Sequence, residues 1–238
     1  MSELWSREEF TFCLQAVGDQ RYHDKHPFHM RMHRGELRDD ELRGWILNRF
    51  YYQKKIPVKD ALILSKLPTR EDRRHWLQRI IDHDGRQGDE GGIEAWLRLG
   101  EAAGLTHEQM LDDGNILPGA RFAVDAYVNF CRLMSWREAV ASSLTELFAP
   151  GLVSRRIGVI EEHYPWVERE GLGYFRRRLE QAPRDVEHAL ELVVRSARSR
   201  EDQEKAVAAL RFKCDVLWAL LDAVERAYAQ RGVACPSH

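Results

Sequence analysis

Long apolar runs are missing from this 238-residue chain. No stretch approaches the ~18 uncharged apolar residues of a membrane span, so no membrane association is expected. The opening MSELWSREEF carries acids where a secretory signal has a basic region and an apolar run, which points to the cytoplasm. Cysteine is scarce: Cys13, Cys131, Cys214 and Cys235 are far apart and form no C-x-x-C pair, excluding a zinc knuckle and a redox dithiol. Free thiols are expected. An excess of one charge is also lacking, since 36 basic residues face 38 acidic ones for a formal charge of -2. Nothing global draws the protein to nucleic acid, and any anion selectivity must be local. Nor are there G-x-x-x-x-G-K-[ST], G-x-G-x-x-G or G-x-S-x-G motifs, which leaves nucleotide binding and serine hydrolysis without support.

Alternating Val/Ile/Thr-rich runs are absent too, whereas apolar residues recur at spacings of three and four. The chain therefore reads as all-α: a compact bundle of about seven main helices. A first long helix starts at Asp39-Asp40, kinks at Pro57 and ends at Pro68. Others are predicted near 70–83, 93–104, 119–133, 136–148, 151–162, 167–181, 184–198 and 201–230. No repeat or low-complexity linker divides them, so residues 1–231 form one expected domain, and 232–238 an expected frayed tail. DHDGRQGDEGG, residues 82–92, is predicted to be a mobile turn that could serve as a lid.

RYHDKHPFHMRMH, residues 21–33, holds four of ten histidines: His23, His26, His29 and His33. On one continuous helix they would share a face and suggest a metal site. Pro27 argues otherwise, because it favours a helix that starts there and leaves His23 in the approach. A dinuclear site in a bundle also needs Glu-x-x-His pairs, and the nearest match is the solitary Asp185-x-x-His188. No metal is expected.

More informative are charges on faces that helical geometry sends inward. Lys213 shares a stripe with Val216, Leu217, Leu220 and Val224. Arg49, Tyr52, Gln53, Ile56, Lys59 and Asp60 cluster on one side of their helix, opposite Leu47, Phe50, Val58, Ala61 and Leu62. Arg79 with His83, and Tyr174 with Arg178, stand four apart. In SSLTELFAP the small polar residues suit close packing, and Glu146 is a candidate to face a cavity. Arg49, Lys59, Arg79, Arg178 and Lys213 would make a nearly neutral protein cationic inside. Such charges call for an anionic occupant, and a small polycarboxylate fits, with tyrosines and His83 available for proton transfer.

The ordered blocks RYHDKHPFH, NRFYYQKKIPVKDA, QRIIDHDG, GGIEAWLRLGEA, RFAVDAY, SSLTELFAP, HYPW and APRDVEHAL resemble the pyrroloquinoline-quinone synthase family, from about Phe10 to Tyr228. The resemblance implies a haem oxygenase-like helical bundle, a homodimer, and an oxidase without metal or organic cofactor. Its substrate would be a polycarboxylated, partly reduced bicyclic quinone bearing an amino-acid side chain. Ring closure and oxidation by O2 would yield pyrroloquinoline quinone and H2O2, the last step in making that cofactor, and handover from or to other proteins of the pathway is conceivable. A metal-dependent oxidase on the same scaffold and a noncatalytic carrier of the quinone are the competing readings. Carried over by position, His83, Tyr174, Arg178 and His23 would be catalytic. Tyr22, Arg49, Tyr52, Gln53, Lys59, Arg79, Asp82, Tyr127, Thr145, Glu146, Arg156 and Lys213 would hold substrate. One departure is Val153, where many members carry histidine; valine cannot move a proton, so a late oxidation step or peroxide release is expected to be altered while activity survives.

Overall fold

The structure is a computed structural model that describes residues 3–229. Among the described residues eleven α-helices run in order: α1 Arg7–Arg21, α2 Pro27–His33, α3 Asp39–Leu64, α4 Arg70–Asp84, α5 Gly91–Ala102, α6 His107–Leu111, α7 Pro118–Leu133, α8 Trp136–Ser142, α9 Ala149–His163, α10 Gly173–Ser196 and α11 Arg200–Ala229. Among the described residues there is no strand, only the isolated bridge Arg86–Asp89. The all-helical reading holds, but the count of about seven was too low. No range was predicted for α1 or for α6, which at 5 residues is too short to display a helical period. The predicted tail, 232–238, and Cys235 lie outside the described residues; Cys13, Cys131 and Cys214 are free thiols.

Two predicted boundaries moved for identifiable reasons. Segments 167–181 and 184–198 merge into α10, with Pro183 inside it. That proline is on the exposed side of the helix, where the carbonyl it leaves unpaired can reach water. The predicted helix 136–148 divides after Ser142, and Ser143–Phe148 tightens into a 3-10 turn that carries Thr145 and Glu146. Other starts follow their caps. Thr69 accepts the Asp72 N–H at the head of α4, and the His26 ring accepts the Phe28 N–H at the head of α2, immediately before Pro27.

α11 is the central post and packs against α1, α3, α7 and α8. Its stripe of Leu210, Cys214, Leu217, Leu220, Leu221 and Val224 is buried. Trp45, Trp76 and Trp96 are fully enclosed, and Trp45 meets Trp96 edge-on at 5.6 Å. Each such side chain contributes about 2–3 kcal/mol of apolar burial. Among the described residues no helix is long and apolar enough to cross a membrane.

The predicted 82–92 loop is a tight turn between α4 and α5. Arg86 and Asp89 exchange backbone hydrogen bonds of 2.7 and 2.8 Å, and Arg177 of α10 pairs with Asp89. Gly85 and Gly91 take φ of 83° and 76°, and a Cβ on Gly91 would lie 2.4 Å from the Gly85 nitrogen. Side chains are excluded at both positions by strain and by contact.

Candidate functional site

Inside the bundle, α3, α4, α5, α9, α10 and α11 enclose a cavity of about 100 Å³ with the Ser143–Phe148 turn and the chain before α2. Eleven of the residues expected at a site line it: Tyr22, His23, Arg49, Tyr52, Gln53, His83, Thr145, Glu146, Arg156, Tyr174 and Arg178. The other five stand behind its walls. Lys213 donates to the Tyr52 hydroxyl at 2.7 Å, and Tyr127 stacks on Tyr52. Lys59 is paired with Asp60 at 2.7 Å and Ser143 at 3.1 Å. Arg79 donates to Glu146 at 2.8 Å, and Asp82 accepts from Gln78 and Arg184.

The polar side of α3 faces inward, and part of its apolar side meets solvent. Tyr52, Gln53, Ile56, Lys59 and Asp60, the polar side, are buried, whereas Val58 and Ala61 from the supposed apolar side are exposed. Pairing of Lys59 with Asp60 and its hydrogen bond to Ser143 offset part of the cost of that burial, although Asp60 Oδ2 has no partner. Lys213 is also fully enclosed rather than reaching to the surface. Its ammonium lies 3.6 Å from the Tyr127 ring centre and 4.0 Å from that of Tyr52. Burial, then Arg49 and Lys59, push its pKa well below the ordinary lysine value.

One end of the cavity neutralises itself. Arg178 donates to Glu146 at 2.9 Å and Asp185 at 3.3 Å, while Arg184 spans Asp185 and Asp82. Burial opposes charge on Arg178, but Glu146 and Asp185 outweigh it and raise its pKa. Asp185 thus serves arginines rather than a metal. At the other end, Arg156 lies 5.0 Å over Trp45, and Arg49 lies 4.0 Å over Tyr52. Neither forms an ion pair among the described residues, and Arg156 Nε is buried without a hydrogen-bond partner. Burial, with Arg49 adding to it, drives Arg156 down to about 10.

Two histidines meet the cavity. The Nδ1 of His83 lies 3.0 Å from the Arg79 carbonyl, which can only accept, so Nε2 presents its lone pair. Burial, then Arg178, depresses its pKa to about 4 and keeps the ring neutral. His23 is likewise held far below the ordinary value by burial, then by Arg49 and Arg156. The four clustered histidines do not converge: His26 caps α2 and reaches Asp222 at 3.1 Å, whereas His29 contacts His23 at 2.9 Å. Among the described residues no group of three or more His, Cys, Asp or Glu side chains is placed to hold a metal ion.

Residues 13–223 match the model of the TENA/THI-4/PQQC family. The chain belongs to this family. Within it, a curated relative from Pseudomonas aeruginosa named pyrroloquinoline-quinone synthase is 55% identical over 222 residues, covering 93% of this chain and 88% of its own. A protein of the same name from Klebsiella pneumoniae is 51% identical, covering 96% and 91%. Solved structures share the fold at low identity. A domain of unknown function with a heme oxygenase-like fold from Shewanella denitrificans superposes with a TM-score of 0.75 at 13% identity, covering 96% of this chain and 94% of its own. A TenA homolog from Pseudomonas syringae gives 0.71 at 14%, covering 95% and 98%.

In this family member the cavity also has apolar walls, among them Ile56 and Leu217, which share the charged stripes noted above, and Trp96, Leu152 and Phe175, which charge patterning did not mark. Their spacing is that of any core residue, so nothing in the sequence separates them from one. Val153 is half-buried and lines the cavity, so the departure noted above falls at the site itself. His29, Asp185 and Arg184 were missed because they act on other side chains.

Proposed function

We propose that this protein is a pyrroloquinoline-quinone synthase, an oxidase that closes the third ring of a polycarboxylated bicyclic quinone precursor and oxidises it with O2. The observation that carries this reading is the pair of cavity-lining arginines, Arg49 and Arg156, held against aromatic rings with no carboxylate of their own. A substrate with several carboxylates supplies the missing partners, and relatives more than half identical bear the corresponding name. In this proposal Arg49 and Arg156 hold carboxylates, with Tyr22, Tyr52, Gln53 and Thr145 placing the ring system. Lys213, Tyr127, Lys59, Arg79 and Asp82 brace those contacts.

His83 Nε2 is the acceptor positioned to remove a proton from the bound precursor. Deprotonation converts the ring to a quinol-like donor. Each oxidation then sends two electrons and two protons to O2, forming H2O2 near His83, Tyr174 and Arg178. Since the substrate itself supplies the electrons, the protein needs neither metal nor organic cofactor, only positioning and proton transfer. A cavity of about 100 Å³ is smaller than the ~300 Å³ typical of small-molecule sites, so binding displaces its walls. The 82–92 segment, which carries His83, is part of that movement. We further propose a cytoplasmic homodimer with one catalytic domain spanning 1–231, able to receive precursor from, or pass product to, proteins of the same pathway.

The test is to mix metal-free protein with the ring-open precursor anaerobically and then admit oxygen. Appearance of the quinone spectrum with oxygen uptake and peroxide supports the reading. Tight binding without oxygen uptake overturns it in favour of a carrier, and turnover only after iron is restored favours a metal-dependent oxidase.

A further inference from the structure

The histidine pair beside Arg156 carries more than a contact. His29 Nδ1 lies 3.0 Å from the backbone carbonyl of His23 and 2.9 Å from His23 Nδ1. A carbonyl only accepts, so His29 Nδ1 bears hydrogen. Two N–H groups cannot face each other at this distance, so His23 Nδ1 presents its lone pair. In a neutral ring the proton of His23 must then be on Nε2. Arg156 Nη2, which only donates, lies 3.4 Å from both nitrogens of the His29 ring and does not decide between them, so the assignment stands on the carbonyl and on His23 Nδ1. Burial, reinforced by nearby cations, keeps both rings neutral. The two short contacts of His29 Nδ1 therefore fix one direction, from His29 to His23.

We infer that His29 is a positioning residue that locks His23 in the tautomer with its proton on Nε2, so that His23 meets the bound ligand as a hydrogen-bond donor. His83 is fixed in the opposite sense by the Arg79 carbonyl and offers a lone pair. The cavity thus holds one accepting and one donating histidine, each set by a backbone carbonyl at its own end. That assignment separates two groups which the resemblance placed together as proton handlers. His23 donates to a carboxylate or quinone oxygen, and His83 takes the proton. The identity of that ligand oxygen rests on the proposed function, whereas the tautomers do not.

The experiment is proton–nitrogen correlation NMR on the full chain labelled with 15N-histidine, with the signals assigned through His23→Gln, His29→Phe and His83→Gln. The expected spectrum shows His23 protonated on Nε2 and His83 on Nδ1. His29→Phe keeps a ring but removes the donor, and His23 should then become a mixture of tautomers. His29→Asn, whose amide can donate, should restore the single form. With precursor and oxygen, the Phe variant should lose turnover about tenfold with little change in KM, and the Asn variant should recover most of it. A native His23 protonated on Nδ1 overturns the inference, as does a folded His29→Phe that keeps the single Nε2–H form. If the Phe variant does not fold, the native spectrum decides. Because the tautomers are read without turnover, failure of the synthase reading would leave this result distinguishable.

Discussion

At the Glu146 end of the cavity, Arg79, Arg178 and Arg184 share Glu146, Asp185 and Asp82; at the Tyr22 end, Arg49 and Arg156 stand over aromatic rings with no carboxylate paired to them among the described residues. The first group forms a finished network whose charges cancel before any ligand arrives. The second remains electrostatically incomplete. Buried ions without counterions are costly, so the open end is kept at the expense of stability, and the closed end holds its shape. Two clusters that look alike as basic residues in the sequence are therefore unlike in the structure: one is paired internally, and the other is the end that the proposed function assigns to an anion.

The largest expected effect comes from breaking the closed end. Asp185→Asn leaves Arg178 and Arg184 short of a buried partner, and urea unfolding should show a loss of about 3–5 kcal/mol. A loss below about 1 kcal/mol would mean that the network is not a scaffold.

Acid should act through the neutral histidines with nearly as much force. The folded pKa of His83 is depressed from 6.5 to about 4, so the unfolded chain binds more protons between those values. Stability from this group is therefore complete above pH 6.5 and is lost as pH falls toward 4, amounting to about 3 kcal/mol. Unfolding of His83→Gln across this range should show a correspondingly shallower dependence on pH.

Arg156→Met sharpens the contrast from the open end. Removing an unpaired buried charge should leave the melting temperature unchanged or raised, while affinity for the precursor falls about 30-fold by calorimetry. A destabilised variant with native affinity would reverse the roles of the two ends.

Smallest of all is Val153→His. Overall turnover should change little, but a late oxidation intermediate or slow peroxide release in the native protein should be relieved in single-turnover absorbance traces. Identical traces for the two proteins would show that the valine has no consequence for these steps.

Much of this architecture could be read in advance. The stripe carrying Lys213 is buried as its spacing required, the helix after Pro27 begins where proline allows, and the pairs Arg79–His83 and Tyr174–Arg178 flank one cavity. Less legible were positions whose meaning depends on a neighbour distant in sequence. That Lys59 would meet Ser143, 84 residues away, cannot be read from the spacing on α3. Pro183 did not end its helix because its side of α10 meets solvent.

Helical periodicity and proline placement are local properties, set within a few residues by backbone sterics and by the separation of apolar from polar faces, and they were sufficient for an all-helical chain with cations aimed inward. Which of those cations would find a carboxylate is a different matter. Arg178 reaches Glu146 across 32 residues and Asp185 across 7, while Arg156 finds only His29 and aromatic rings. Coulombic and hydrogen-bond energies depend on distances of a few ångströms, and those distances exist only once the helices have packed.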